Sequence, residues 1–249
     1  MINYLKSENY RLLRKKGLYL TSIICLLLIV AAAFGLHYFQ QYDPNFPYGT
    51  SLFFYANVIT SGILIMIVGF LFNLALTGKD RSLIKQPVSF GISRNTIFWS
   101  KLVLTLSYFV LLCVVGLLLV IGLGEGLLIS EEQSIKNFVV ASLNMGPIVL
   151  SGFMMIHVLK MLKVGDVYII IVLFFLFILS GDLLRWLLGS VSGLNELYKY
   201  APSTLLNDNL MSFMNQTAQF DYLFWVTGMV ISLILLPIGA NRFAKQPID

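Results

Sequence analysis

Charge is scarce in this chain of 249 residues: Asp, Glu, Lys and Arg together make up 12%, against 58% hydrophobic residues. A water-soluble domain does not carry that ratio, because too much apolar surface would face solvent. Histidine and cysteine are scarcer still, with two of each. Cys25 and Cys113 fall in different apolar stretches, which argues against a disulfide framework and for free thiols packing as small apolar groups. His37 and His157 fall at opposite membrane faces of two different stretches, too far apart to share a metal. The His-Glu-x-x-His, Cys-x-x-Cys and Gly-x-Ser-x-Gly patterns are absent. Ser61-Gly62 and Ser151-Gly152 lack the glycine two residues ahead that intramembrane serine proteases usually show, and Glu131-Glu132 sit in a polar loop that suits solvated acids. An intramembrane enzyme would therefore have no catalytic set to use. A phosphate loop of the form Gly-x-x-x-x-Gly-Lys-Ser/Thr is absent as well, so the chain has no ATP cradle of its own. No acid or base stands in the middle of an apolar stretch, which disfavours an ion-coupled carrier.

What the chain does contain is long apolar runs. A bilayer span needs about 20 residues. Six runs meet this, at roughly 18–38, 52–76, 101–124, 137–159, 167–188 and 222–241. They predict an all-α membrane protein with six transmembrane helices and a single transmembrane domain over 1–249. The first run has a basic front and Ala31-Ala32-Ala33, like a signal peptide, but it continues through Phe34, Gly35 and Leu36. We read it as an uncleaved first helix.

The few charges are sorted by loop. Fourteen basic residues and four acids fall at the N-terminal end, the loop at 77–101, the turn at 160–166 and the C-terminal end, a net of +10. Three basic residues and eight acids fall in the other loops, a net of −5. Loops rich in Lys and Arg resist transfer, so both termini are expected in the cytoplasm of a multi-pass cell-membrane protein, plasma or inner. The overall net of +5 then reflects topology and anionic lipid rather than nucleic acid.

The connecting segments carry further expectations. Residues 1–16 place Ile2, Leu5, Leu12 and Leu13 near one helical face with Lys6, Arg14, Lys15 and Lys16 around it, which predicts an amphipathic helix at the cytoplasmic interface; a basic tail that only enforces topology is the simpler reading. Pro44, Pro47 and Gly49 predict an outer loop over 39–51. In the loop at 77–100, a short helix opens near Asp80-Arg81, shows Leu83 and Ile84 on its apolar face, and is expected to stop at Pro87. Pro147 is expected to kink the fourth span and free a carbonyl. Asp182 and Arg185 interrupt an apolar run beside Trp186, and breakers follow up to 221, which predicts short outer helices between spans five and six. Spaced by three, Asp182 and Arg185 suit an ion pair; with Trp186 they form a candidate outer gate, or else a boundary pair facing headgroup water.

This organisation resembles the ABC-2 type permeases, the membrane subunits of many ABC exporters. Gly91-Ile92-Ser93-Arg94-Asn95-Thr96-Ile97-Phe98-Trp99-Ser100-Lys101 is similar to that family's G-x-S-R…K segment entering span three. Tyr198-Lys199-Tyr200-Ala201-Pro202-Ser203 is similar to its proline-bearing segment before the last span. The resemblance covers the whole layout, and it implies a transport subunit rather than an enzyme. It implies a coupling loop at about 79–90 (Lys79, Asp80, Arg81, Leu83, Ile84, Lys85 and Val88) seated on a separate ABC ATPase subunit, present in two copies. Lys79, Arg81 and Lys85 would meet acids there, with Leu83, Ile84 and Val88 as apolar knobs; a solvated basic loop is the plainer alternative. ATP would be held by that partner, with no cofactor on this chain. A second permease copy or a sister permease would complete the path. Small members of this kind often export, or confer immunity to, amphipathic peptides such as lantibiotics, so the implied cargo is hydrophobic or amphipathic. Phe53, Phe54, Tyr55, Phe109, Phe174 and Phe175 are candidates to line its route or to face lipid. An intramembrane enzyme and a non-ABC channel or scaffold subunit are the rival classes.

The charge pattern yields a topology test. In a chain whose two native cysteines are replaced by alanine, Arg81→Cys should react with a membrane-impermeant maleimide only after permeabilisation. Glu132→Cys should react in intact cells. Labelling of Arg81→Cys in intact cells would reverse the inside–outside assignment.

Overall fold

In a computed structural model the chain is described over residues 2–43, 45–77, 85–191 and 193–246. The protein is 83% helical, and the described residues contain no strand, only an isolated parallel bridge between Thr50 and Ile129. Five helices are long and apolar enough to cross a membrane: α2 (Lys16–Tyr42), α6 (Arg94–Leu127), α7 (Ser134–Met161), the helix Asp166–Leu188 and α11 (Tyr222–Lys245). Two further helices, α3 (Ser51–Thr60) and α4 (Gly62–Thr77), meet at a bend of 55° and pass the same test only together. The bend has a local cause. Ser61 and Thr60 return their hydroxyls to the carbonyls of Asn57 and Ala56, at 2.6 and 2.8 Å, and Gly62 follows. Such back-bonding competes with the helical ladder and bends it. The helix Asp166–Leu188 has three pieces, α8 (Asp166–Phe174), a π segment (Phe175–Leu179) and α9 (Ser180–Leu188).

Burial separates one helix from the rest. Two-thirds of the apolar window of α7 is buried, at 67%, against 11–22% for the other four long helices. It packs on α11, α4, α3, α6 and α8, and on α10 (Pro202–Met214). That explains why α7 tolerates Asn137, Asn144, Ser151 and His157: all four are buried inside the protein rather than set against lipid. Small residues let its neighbours close in. A Cβ on Gly228 would stand 2.5 Å from the carbonyl oxygen of Pro147, and one on Gly239 would stand 2.6 Å from Val158. The Phe109–Phe153 stack, 4.9 Å between centroids, lies over Gly69 of α4. Pro147 sits inside a helix that continues on both sides of it. The other long helices turn apolar rows outward, such as Leu20, Ile24 and Leu27 on α2 or Val226, Val230 and Leu233 on α11. Rows of this extent suit lipid, and the protein is a multi-pass membrane protein.

Several boundaries depart from the expected ones. The outer loop begins after Tyr42 rather than at 39, because the break set by Pro44 reaches back only to Asp43. α6 starts at Arg94, seven residues before the expected span, with Ser93 capping the amide of Thr96. Its 34 residues extend about 51 Å at helical rise, well beyond a bilayer core. Pro87 does not stop a helix; it lies within the short helix α5 (Lys85–Ser89), in the first turn, where proline is tolerated.

The N-terminal helix α1 spans Ile2–Leu13, but its buried row is Tyr4, Glu8 and Leu12, packed against α6 and α4. Leu13, expected on the apolar face, is 39% exposed, Leu5 is half-buried, and the side chain of Ile2 lies outside the description. Spacing by four explains the choice, since residues 4, 8 and 12 form one ridge. Glu8 is acceptable in that row because Arg11 pairs with it at 2.8 Å. Burial, with the Glu8 carboxylate beside it, pushes the Tyr4 phenol far above its ordinary pKa, so it stays protonated.

The α7–α11 contact should be intolerant of bulk. Gly228→Ala drives a Cβ into a backbone carbonyl and is expected to cost about 1–3 kcal/mol. Gly122→Ala, where nothing stands within 4 Å, should leave thermal unfolding in detergent unchanged. Equal melting of the two variants would refute this packing.

Candidate functional site

Two polar centres lie at opposite ends of α7. The first joins α4, α6 and α7 near the end that carries the basic loops. His157 of α7 is fully buried. Its Nδ1 lies 3.1 Å from the Asn73 amide nitrogen of α4, and its Nε2 lies 3.2 Å from the Phe98 carbonyl of α6. The carbonyl accepts, so the proton belongs on Nε2 and Nδ1 accepts from Asn73. Thr77 donates to the Asn73 carbonyl oxygens of both side chain and backbone. Lys101, 1% exposed, donates to the carbonyl of Leu76. Lys101 thereby ties the Leu76 turn of α4 to α6. Lys160 pairs with Asp166 across the α7–α8 turn and lies 5.6 Å from the Phe70 ring centroid. Arg94 donates to the carbonyls of Ala244 and Gln246, fixing the start of α6 to the end of α11.

The second centre is a cavity of about 800 Å³ at the other end, formed by α9, the 3-10 turn Leu197–Tyr200, α10 and the start of α11. Its floor is a pair of buried amides. Asn144 of α7 donates to the Gln219 carbonyl at 2.8 Å and to the Asn209 side chain at 3.4 Å, and it accepts from the Asp221 amide at 3.1 Å. Asn209 of α10 donates to the Ala141 carbonyl at 2.9 Å. Asp221 caps α11 through the Leu223 amide at 2.8 Å. The walls carry Arg185, Tyr198, Lys199, Asp208 and the rings of Phe220, Tyr222 and Phe224. Lys199 pairs with Glu196 at 3.0 Å, and the carboxylate holds its ammonium above the ordinary lysine pKa.

The residues singled out from sequence are scattered between these centres. Lys79, Asp80, Arg81, Leu83 and Ile84 lie outside the described residues, as does the side chain of Lys85. Val88 is half-buried on a cluster that includes Ile97, Phe98 and Phe243, so it is committed to its own chain and is not a free knob. Among the described residues of that segment, Phe90 is an exposed apolar side chain, at 78%.

At the end opposite the basic loops, Arg185 lies 4.4 Å over the Tyr198 ring and, among the described residues, forms no ion pair with Asp182. The aromatic face nearby competes successfully with a carboxylate one turn away, which is exposed to solvent. Of the three gate candidates only Arg185 borders the cavity; Trp186 is 80% exposed. None of the six aromatics proposed for a route lines this cavity. Phe54, Tyr55 and Phe109 are buried, whereas Phe174 and Phe175 are exposed at 46% and 50%. His37 and His157 bond to Leu127 and Phe98, which lie at opposite ends of α6, roughly 44 Å apart at helical rise. Asn73, Asn144, Asn209 and Lys101 were missed as partners. Their signal was available: amides and a lysine set within apolar runs are expensive unless paired.

No family model matches the chain, and neither a curated protein nor a solved structure does.

The inner centre can be tested by a cycle. Asn73→Ala leaves the His157 Nδ1 acceptor unmet and should destabilise by about 1–3 kcal/mol. Adding His157→Ala should cost less than the sum of the two single changes, read from melting temperatures. Strict additivity would mean the pair does not interact.

Proposed function

We propose that this chain is the permease subunit of an ATP-driven ABC exporter. It forms half of the path for a hydrophobic or amphipathic cargo, peptide by preference. In this reading α3 and α4 make one broken span, six spans cross the cell membrane, both termini are cytoplasmic, and α1 lies at the inner interface. ATP is held by a separate ATPase present in two copies, and a second permease copy or a sister permease supplies the other half.

The observation that carries this reading is the mounting of the loop between α4 and α6. Its two ends are anchored in the inner polar centre, through Lys101 on the Leu76 carbonyl and Arg94 on the end of α11. A loop that receives force must be fixed to the helices it moves, and both attachments meet this need. Beside them the loop presents the exposed ring of Phe90 and carries the basic residues Lys79, Arg81 and Lys85. An exposed apolar side chain in a segment whose sequence carries cations suits a cleft with an apolar floor and acidic rim. Leu83, Ile84 and Phe90 are then the knobs, and Val88 packs on its own chain.

The test is capture of a soluble ATPase by the tagged full-length chain. Leu83→Asp, Ile84→Asp and Phe90→Asp should each reduce capture at least about tenfold, as expected for loss of an interface anchor. The gel-filtration profile should stay that of wild type. Undiminished capture in all three would remove the coupling role. Failure of the wild type to retain any ATPase would favour a channel or scaffold subunit.

A further inference from the structure

The coupling role makes no use of the cavity at the far end of α7. We propose that this cavity binds an amphipathic organic cation, a primary ammonium on an alkyl chain. Its volume of about 800 Å³ lies within the range of small-molecule sites.

The charges on its walls are not equally engaged. Lys199 is spoken for by Glu196, and Arg185 by the face of Tyr198. Asp208 makes no ion pair or side-chain hydrogen bond among the described residues, and Asp221 gives a single carboxylate oxygen to the Leu223 amide. Two carboxylates therefore face one cation outside a close ion pair, and the remaining demand is for positive charge. The floor adds an acceptor: Asn209 is 2% exposed, and its side-chain carbonyl receives one hydrogen bond, from Asn144, which leaves its other lone pair for a guest. Phe220 and Tyr222 supply ring faces not taken by Arg185, which attract an ammonium and also cover an alkyl chain. An alkyl anion would meet two carboxylates, and a neutral alkane would strand them. Only the side of the membrane from which the ligand arrives rests on the topology proposed above.

The experiment uses the full-length chain in zwitterionic nanodiscs, open at both faces and free of ATPase, so its outcome is independent of the capture assay. Octylammonium is titrated calorimetrically, with empty discs subtracted. Saturable binding is expected, with octanol and octyl sulfate failing to compete. Asp208→Asn should weaken it about tenfold, the equivalent of one charge-assisted hydrogen bond. Asp208→Glu should restore it, and the exposed position of Asp208 should leave thermal unfolding of both variants at the wild-type value. Equal affinity of wild type and Asp208→Asn would overturn the proposal. So would competition by octyl sulfate, or absence of saturable binding to wild type.

Discussion

A helix that is mostly buried inside a membrane protein must settle its polar groups within the protein, because no water is present to take them. α7 is under that constraint, and the rest of the architecture follows from it. Its amides and imidazole reach partners on α4, α6 and α10. Its neighbours come close because Gly228, Gly239 and Gly69 present no side chain at the contacts. In lipid, where apolar association supplies little driving force between helices, such close approach and internal hydrogen bonds carry the packing. The two polar centres are thus stability elements first. Each becomes functionally interesting because it gathers chain segments that begin or end beside it.

The two centres differ in what they leave over. At the end bearing the basic loops, polar groups are consumed: His157, Asn73, Thr77 and Lys160 are all engaged with neighbours. A centre of this type is suited to transmitting position from one helix to the next. At the other end, hydrogen-bonding capacity and a carboxylate remain beside an open volume. A centre of this type is suited to receiving a molecule. Sorting by residual valence, rather than by residue type, separates the mount from the receptacle.

Much of the framework could be read from residue order because the membrane imposes a crude and strong rule on length and apolarity. The long helices lie where the apolar runs placed them, and Ser93 and Pro202 mark helix starts through local chemistry that neighbouring residues cannot override. The misreadings came where tertiary contact decides. Residues 4, 8 and 12 are buried in preference to 5 and 13 because their ridge packs against α6 and α4. Val88 turns inward for the same reason. Arg185 prefers a ring brought to it by the 3-10 turn over an acid three residues away. The asparagine pair of the cavity floor was visible only as two residues 65 positions apart, and nothing local announces that they meet.

The break at Ser61 divides an apolar stretch into two short rods with different allegiances. α3 packs on α10 and α7, whereas α4 is held at its opposite end by Lys101 of α6, through the Leu76 carbonyl, and by His157 of α7, through Asn73. The 55° joint between them leaves the two rods without a common axis, so each is held by the neighbours it packs on.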